Sequence, residues 1–375
     1  MRPKFLLSAA AIWLATTLPA SAFDTIARSA LVLDQASGTV LLAKEADIPI
    51  PPASMSKLMT LNMLFEALQD GRVNLDTEFT VSQKASQKGG SKMFVKQGDR
   101  ITVENLIRGI IVQSGNDACI VVAENLAGSE ADFARIMTAR ARKLGMNEST
   151  FANATGWPDP NHRMSARDLV TLANRLMTQF PEYYGYFAEE SFTWADITQK
   201  NRNPLLDKGI GADGLKTGHT EEAGYGLVGT ARQDDRRVIL MISGLNTADE
   251  RAREAERLMN WAFRQFTQET LLKAGKNVAQ AEVWLGAETT VGLEVADDIS
   301  ALIPYSARDE IKMSVTYEGP IQAPIAKGTE LGVLNIEIPD LPSQSYPVYA
   351  SSDVQYAGLM KRLKVSAQKL QGALR

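Results

Sequence analysis

The chain has 375 residues, 45% hydrophobic and 22% charged, an ordinary globular composition with room for about two domains. Lys and Arg total 40 against 44 Asp and Glu, a net charge of −4, and this balance gives no reason to expect nucleic acid as a partner. A single cysteine, Cys119, excludes an intramolecular disulfide, and two histidines, His162 and His219, in no ligand spacing argue against a metal site.

Residues 1–22 carry Arg2 and Lys4, an apolar stretch from Phe5 through Leu18, and then Ala20-Ser21-Ala22, a small-x-small cleavage pattern. The stretch is short, broken by Ser8, Thr16 and Thr17, and ends at Pro19. It therefore reads as a secretory signal peptide rather than a membrane helix. The mature chain is expected to begin near Phe23, outside the cytoplasm, in a bacterial periplasm.

Ala30 to Asp34 and Thr39 to Ala43 read as a β-hairpin around Gln35-Ala36-Ser37-Gly38. After Pro51-Pro52 the pattern turns helical, with Leu58, Leu61, Leu64, Phe65 and Leu68 at three- and four-residue spacing until Gly71. Ser54 is then expected at a helix N-terminus, and Lys57, three residues on, projects from the same face. A second helix is expected over 103–112 and a third over 118–126, interrupted by Ser114-Gly115-Asn116. Cys119, between Ala118 and Ile120, reads as a small buried hydrophobe.

Gly224 to Arg232 and Arg236 to Ser243 predict antiparallel strands beside one that carries Lys216-Thr217-Gly218, where the glycine would let a substrate backbone approach. A helix follows over 251–266. From about Ala279 short alternating runs (282–285, 290–293, 311–317, 330–338) predict a small all-β unit, with the boundary between Leu271 and Ala279. From Asp353 onward Tyr356, Met360, Leu363, Ala367, Leu370 and Leu374 keep a helical period, with Lys361, Arg362, Lys364, Lys369 and Arg375 on the other faces. Such a basic amphipathic tail suggests docking on an anionic membrane surface.

Three patterns in one order carry the chemistry: Ser54-Met55-Ser56-Lys57, Ser114-Gly115-Asn116 and Lys216-Thr217-Gly218. A serine hydroxyl needs a neighbouring group to take its proton, and here that group is a lysine rather than a histidine. S-x-x-K alone arises by chance about once in a chain of this size, and Ser366 with Lys369 repeats it. The ordered triplet is far more specific.

On these motifs, with Pro52-Ala53-Ser54, Asp117-Ala118, Ser165-Ala166-Arg167-Asp168, Asn201-Arg202-Asn203, His219-Thr220, Arg253-Glu254-Ala255 and Tyr317-Glu318-Gly319-Pro320-Ile321, the chain resembles the low-molecular-mass penicillin-binding proteins. These are the D-alanyl-D-alanine carboxypeptidases of peptidase family S11, similar to penicillin-binding proteins 5 and 6. The resemblance implies an α/β (α+β) transpeptidase-like domain, an antiparallel sheet with helices on both sides, over 23–275. A β-rich domain over 276–352 and an anchor helix over 353–375 at the inner membrane would follow. It implies removal of the terminal D-alanine from peptidoglycan stem peptides without a cofactor, and acylation by β-lactams. Ser54, Lys57 and Ser114 would be catalytic, and Asn116, Lys216, Thr217, Gly218, His219, Arg202 and Arg253 would bind substrate.

Three other activities compete. A class A β-lactamase needs an E-x-x-L-N glutamate, and none lies between Asn116 and Lys216. A DD-endopeptidase would use the same chemistry on a cross-linked substrate. A wall-binding, shape-regulating protein would keep the site while its β domain did the work.

Overall fold

The computed structural model describes residues 23–359 apart from 340 and 342, so the expected signal peptide lies outside it. In chain order the first unit comprises β1 (Ser29–Asp34), β2 (Val40–Lys44), α1 (Lys57–Gln69), β3 (Glu78–Thr80), α2 (Gln83–Gln87), β4 (Arg100–Thr102), α3 (Val103–Ile111) and α4 (Asn116–Ala127). It continues through α5 (Glu130–Lys143), α6 (Ala166–Gln179), α7 (Pro181–Tyr184), β5 (Ser191–Trp194), β6 (Ile197–Lys200), β7 (Ala212–Thr220), β8 (Gly224–Gln233), β9 (Arg236–Leu245) and α8 (Ala248–Arg264).

The principal sheet is antiparallel with strand order β2-β1-β9-β8-β7. The N-terminal hairpin thus pairs with the last strand, and β7 is left at the edge with one side unpaired. Along β9, Ile239 and Met241 enter the core beneath α1, α3, α4 and α6, whereas Val238, Leu240 and Ile242 enter the core shared with Ala255, Leu258 and Met259 of α8. Both faces of the sheet are covered, which is why β9 reads as an almost unbroken apolar run.

Helix starts follow local chemistry. Thr102, Ser165 and Thr247 each accept a hydrogen bond from the backbone N–H three residues on, capping α3, α6 and α8. In the Ser165-Ala166-Arg167-Asp168 motif the serine is therefore the cap, and the buried Asp168 accepts from the Ser149 hydroxyl and the Glu148 N–H.

The second unit comprises β10 (Phe266–Leu272), β11 (Asn277–Trp284), β12 (Thr290–Glu294), β13 (Ile299–Pro304), β14 (Lys312–Tyr317), β15 (Ile321–Gln322), β16 (Glu330–Glu337) and β17 (Gln344–Ala350). Six strands lie in the order β14-β16-β17-β12-β11-β15. β10 pairs with β13, so residues 266–272 hydrogen-bond into this unit ahead of the change in texture near 276. The start of the expected C-terminal helix is corrected. Val354 exchanges two backbone hydrogen bonds with Ile325 and is buried in the β unit's core, and Tyr356 bridges to Gly286. Tyr356, the first residue of the expected helical period, is thus paired to the β unit instead. Residues 360–375 lie outside the described residues, and no described helix is long and apolar enough to cross a membrane.

One ion pair ties the sheet to α8. Arg236 donates from Nε and Nη2 to Asp34 Oδ2, and its other N–H groups reach the carbonyls of Ala262 and Phe266. Asp34 is 1% exposed, so losing the arginine strands a buried carboxylate. Arg236→Ala should lower unfolding stability by about 3 kcal/mol, read as a shifted urea midpoint with unchanged slope.

Candidate active site

Ser54 lies in a 3-10 turn, Ala53–Ser56, that runs directly into α1, so it precedes the α-helix by one tight turn instead of beginning it. Ala53 holds a left-handed φ of 49°, and the turn is gripped from two sides. A Cβ on Gly156 would stand 1.9 Å from the Ala53 carbonyl oxygen, and one on Gly218 would stand 3.0 Å from that of Pro52 and 3.2 Å from Ala53 Cβ. The missing side chain of Gly218 therefore makes room for the Ser54 turn.

Lys57 is fully buried, and its Nζ donates to Ser54 Oγ at 2.6 Å and to the Thr155 carbonyl at 2.7 Å. Burial pushes its pKa from 10.5 down to about 8; Cys119 pulls upward only as a thiolate, Arg202 and Lys88 add repulsion, and Asp117 opposes them. Burial pushes the Cys119 thiol up to about 12, so at neutral pH it is uncharged and lends the lysine nothing. About a tenth of Lys57 is then neutral at pH 7, against well under a thousandth for a free lysine. Lys216 on β7 is held well below its usual range by burial first, then by repulsion from Lys57 and Arg202. Its Nζ donates to the Thr217 carbonyl at 3.1 Å.

Ser114 closes the opposite wall with a left-handed φ of 57° and is 1% exposed. This backbone break separates α3 from α4 and turns Asn116 to donate from Nδ2 to the Gly89 carbonyl at 2.8 Å. The next residue, Asp117, is 0% exposed and accepts from the N–H groups of Met93, Phe94, Val95 and Ala118 at 2.8–3.3 Å. Three consecutive N–H groups converge because Phe94 has φ 70°. The carboxylate thus ties α4 to the chain that carries Gly89 and Ser91.

The third wall is β7 with α8. A cavity of ≈330 Å³ is bounded by Ser54, Ser91 and Ser114 on one side and by Thr217, Gly218, His219, Tyr225, Arg202 and Arg251 on the other. Arg202 Nη1 donates to Ser91 Oγ at 2.5 Å. The exposed His219 ring stacks on Tyr225 with centroids 3.8 Å apart, and Arg251 lies 5.7 Å over the same tyrosine. Arg251 Nε is buried without a hydrogen-bond partner among the described residues. Arg253, expected here from its motif, is exposed and does not line the cavity. Two residues along a helix rotate a side chain by about 200°, so α8 turns Arg251 to the cleft and Arg253 away. In the same motif Glu254 is buried and pairs with Arg257, a structural role.

The structure thus brings Ser54, Lys57, Ser114, Asn116, Lys216, Thr217, Gly218, His219 and Arg202 to one cleft. The motifs did not announce Thr155, which receives Lys57, nor Asn153, whose Oδ1 accepts from the N–H groups of Thr155, Gly156 and Trp157 at 2.9–3.0 Å. Arg251 and Asp117 stood within or beside quoted motifs, but their roles depend on contacts across the fold. The arrangement offers a hydroxyl hydrogen-bonded to a partly neutral amine, with cationic groups at the far end of the cleft suited to a carboxylate. The buried His162 is pushed down to about 4 by desolvation and does not line the cavity. No group of acids, cysteines and histidines able to hold a metal occurs among the described residues.

A family model described as D-alanyl-D-alanine carboxypeptidase matches residues 16–247, and one described as penicillin-binding protein 5, C-terminal domain, matches 266–356. D-alanyl-D-alanine carboxypeptidase DacC of Escherichia coli is 35% identical over 367 residues, 96% of this chain and 91% of the relative. The solved structure of penicillin binding protein 5 from Haemophilus influenzae, 32% identical, superposes with a TM-score of 0.73 over 90% of this chain and 99% of that one. Penicillin-binding protein D2 from Listeria monocytogenes in its ampicillin-bound form, 31% identical, aligns with 64% of this chain and 98% of its own at a TM-score of 0.59.

Asp117→Asn keeps the shape but gives up the charge-assisted bonds. It should cost about 3 kcal/mol in thermal or urea unfolding and slow labelling by a penicillin. Alanine at the exposed Arg253 should do neither.

Proposed function

The chain belongs to the D-alanyl-D-alanine carboxypeptidase family, and on that premise we propose that Ser54 is its nucleophile and Lys57 the base that activates it. The protein is a serine hydrolase that releases the terminal D-alanine from peptidoglycan stem peptides. The observation that carries the assignment is the 2.6 Å hydrogen bond between Ser54 Oγ and a buried, partly neutral Lys57.

Ser54 Oγ attacks the carbonyl carbon between the last two D-alanines while its proton passes to Lys57 Nζ. Collapse of the tetrahedral adduct breaks the C–N bond, and Ser114 relays a proton to the leaving amine, so D-alanine departs and an ester on Ser54 remains. Water then attacks the ester carbon, and the serine recovers its proton as the shortened peptide leaves. The N–H groups of Ser54 and His219 hold the developing oxyanion, a contribution of about 3 kcal/mol per donor. Asn116 binds the substrate amide on the acyl side. Lys216, Thr217, Arg202 and Arg251 receive the terminal carboxylate, Arg251 taking the place expected of Arg253. β-Lactams, bound by the Listeria relative, acylate the same serine. An endopeptidase or a non-catalytic wall-binding role finds no comparable support.

The protein works outside the cytoplasm. We assign it to the periplasm on the leader at 1–22 and infer attachment to the anionic face of the inner membrane through its basic tail.

Ser54→Ala should abolish both D-alanine release from diacetyl-Lys-D-Ala-D-Ala and labelling by fluorescent penicillin. A mutant that keeps either would overturn the nucleophile. In the wild type, acylation at low penicillin concentration should rise about tenfold per pH unit toward pH 8 and level above it, as Lys57 loses its proton. The mature chain should sediment with vesicles containing anionic phosphatidylglycerol, and a chain ending at residue 359 should stay in the supernatant.

A further inference from the structure

The cleft wall that begins at Ser91 continues past the described cavity. At one end Ser91 receives Arg202; three residues earlier, the Lys88 ammonium stands 4.4 Å over the ring of Trp157. Between them the Gly89 carbonyl receives the Asn116 amide. Gly90 marks the junction, since a Cβ there would lie 2.7 Å from Asn116 Nδ2 and 2.9 Å from the Trp157 ring. Trp157 is 44% exposed, a large aromatic left open beside a polar site. Its backbone is held rigidly, with the N–H on Asn153 Oδ1 and the carbonyl on Asn153 Nδ2 at 3.0 Å each. Lys88 has no carboxylate within ion-pair distance among the described residues.

The order of groups along this wall assigns a direction. With the terminal carboxylate at Arg202 and Arg251, the peptide preceding the cleaved bond passes Asn116 and reaches Lys88 and Trp157. We propose that these two residues form a subsite for the acyl side of the stem peptide. Lys88 pairs with a carboxylate carried there, and Trp157 covers the adjoining aliphatic chain. The proposal rests on the carboxypeptidase reading and adds a basis for choosing among stem peptides.

The test compares the mature protein on two D-Ala-D-Ala peptides whose preceding residue is either diaminopimelyl, with a free carboxylate, or lysyl, without one. The wild type should favour the carboxylate-bearing peptide in kcat/KM by about fivefold, a preference that shrinks with added salt. Lys88→Met should bring the ratio to about one, and Lys88→Glu should reverse it. Trp157→Ala should raise KM for both. A wild-type ratio near one, or a ratio indifferent to residue 88, overturns the subsite while leaving the carboxypeptidase reading intact. Release of D-alanine from neither peptide overturns that reading and the subsite with it.

Discussion

Everything at this site depends on keeping an amine dry. Lys57 is sealed between Ser54 Oγ and the Thr155 carbonyl, two acceptors that satisfy part of its donor capacity without adding a charge. A carboxylate in either place would raise its pKa and keep it fully protonated at neutral pH. The fold bears a cost for this. Because the folded pKa of about 8 lies below the unfolded 10.5, folding disfavours the ammonium. The penalty is absent above pH 10.5, grows as pH falls to 8 and is constant below. At pH 7 the cost is roughly 3 kcal/mol.

That cost explains much of the surrounding architecture. The Ser54 turn has to be held against a left-handed Ala53, and two glycines from distant parts of the chain allow backbone to press on it from opposite sides. The cations Arg202 and Lys88 repel Lys57, whereas Asp117, a carboxylate that opposes them, is committed to four backbone N–H groups. Asp117 thus moderates the field while it fixes the wall opposite Ser54. Placing β7 at the sheet edge leaves one side of that strand unpaired, facing the cleft where an extended peptide can lie.

Local chemistry was legible where one element decides it. The i, i+3 relation of Ser54 and Lys57, the break at Ser114-Gly115-Asn116 between α3 and α4, the hairpins and the burial of Cys119 follow from periodicity, turn residues and helix geometry alone. The outcome differed where a partner far along the chain competes. Tyr356 opens the expected helical period but is taken by Gly286 at a strand bridge. Gly218 packs against the Ser54 turn, a contact no local pattern announces. Of two arginines on α8 the one facing the cleft is Arg251, a choice made by how α8 docks on the sheet.

The order and spacing of three short motifs determined the reaction type, because acyl transfer by serine needs a nucleophile, a base and an opposing wall, and residue types declare those needs. Sequence also carried the leader and the basic tail, which are compositional signals. Only the tertiary structure decided how basic Lys57 is, which backbone carbonyl it holds, which arginines face the cleft and where Lys88 and Trp157 stand. Desolvation and convergence from separate elements are properties of packing, and no local window of the chain contains them.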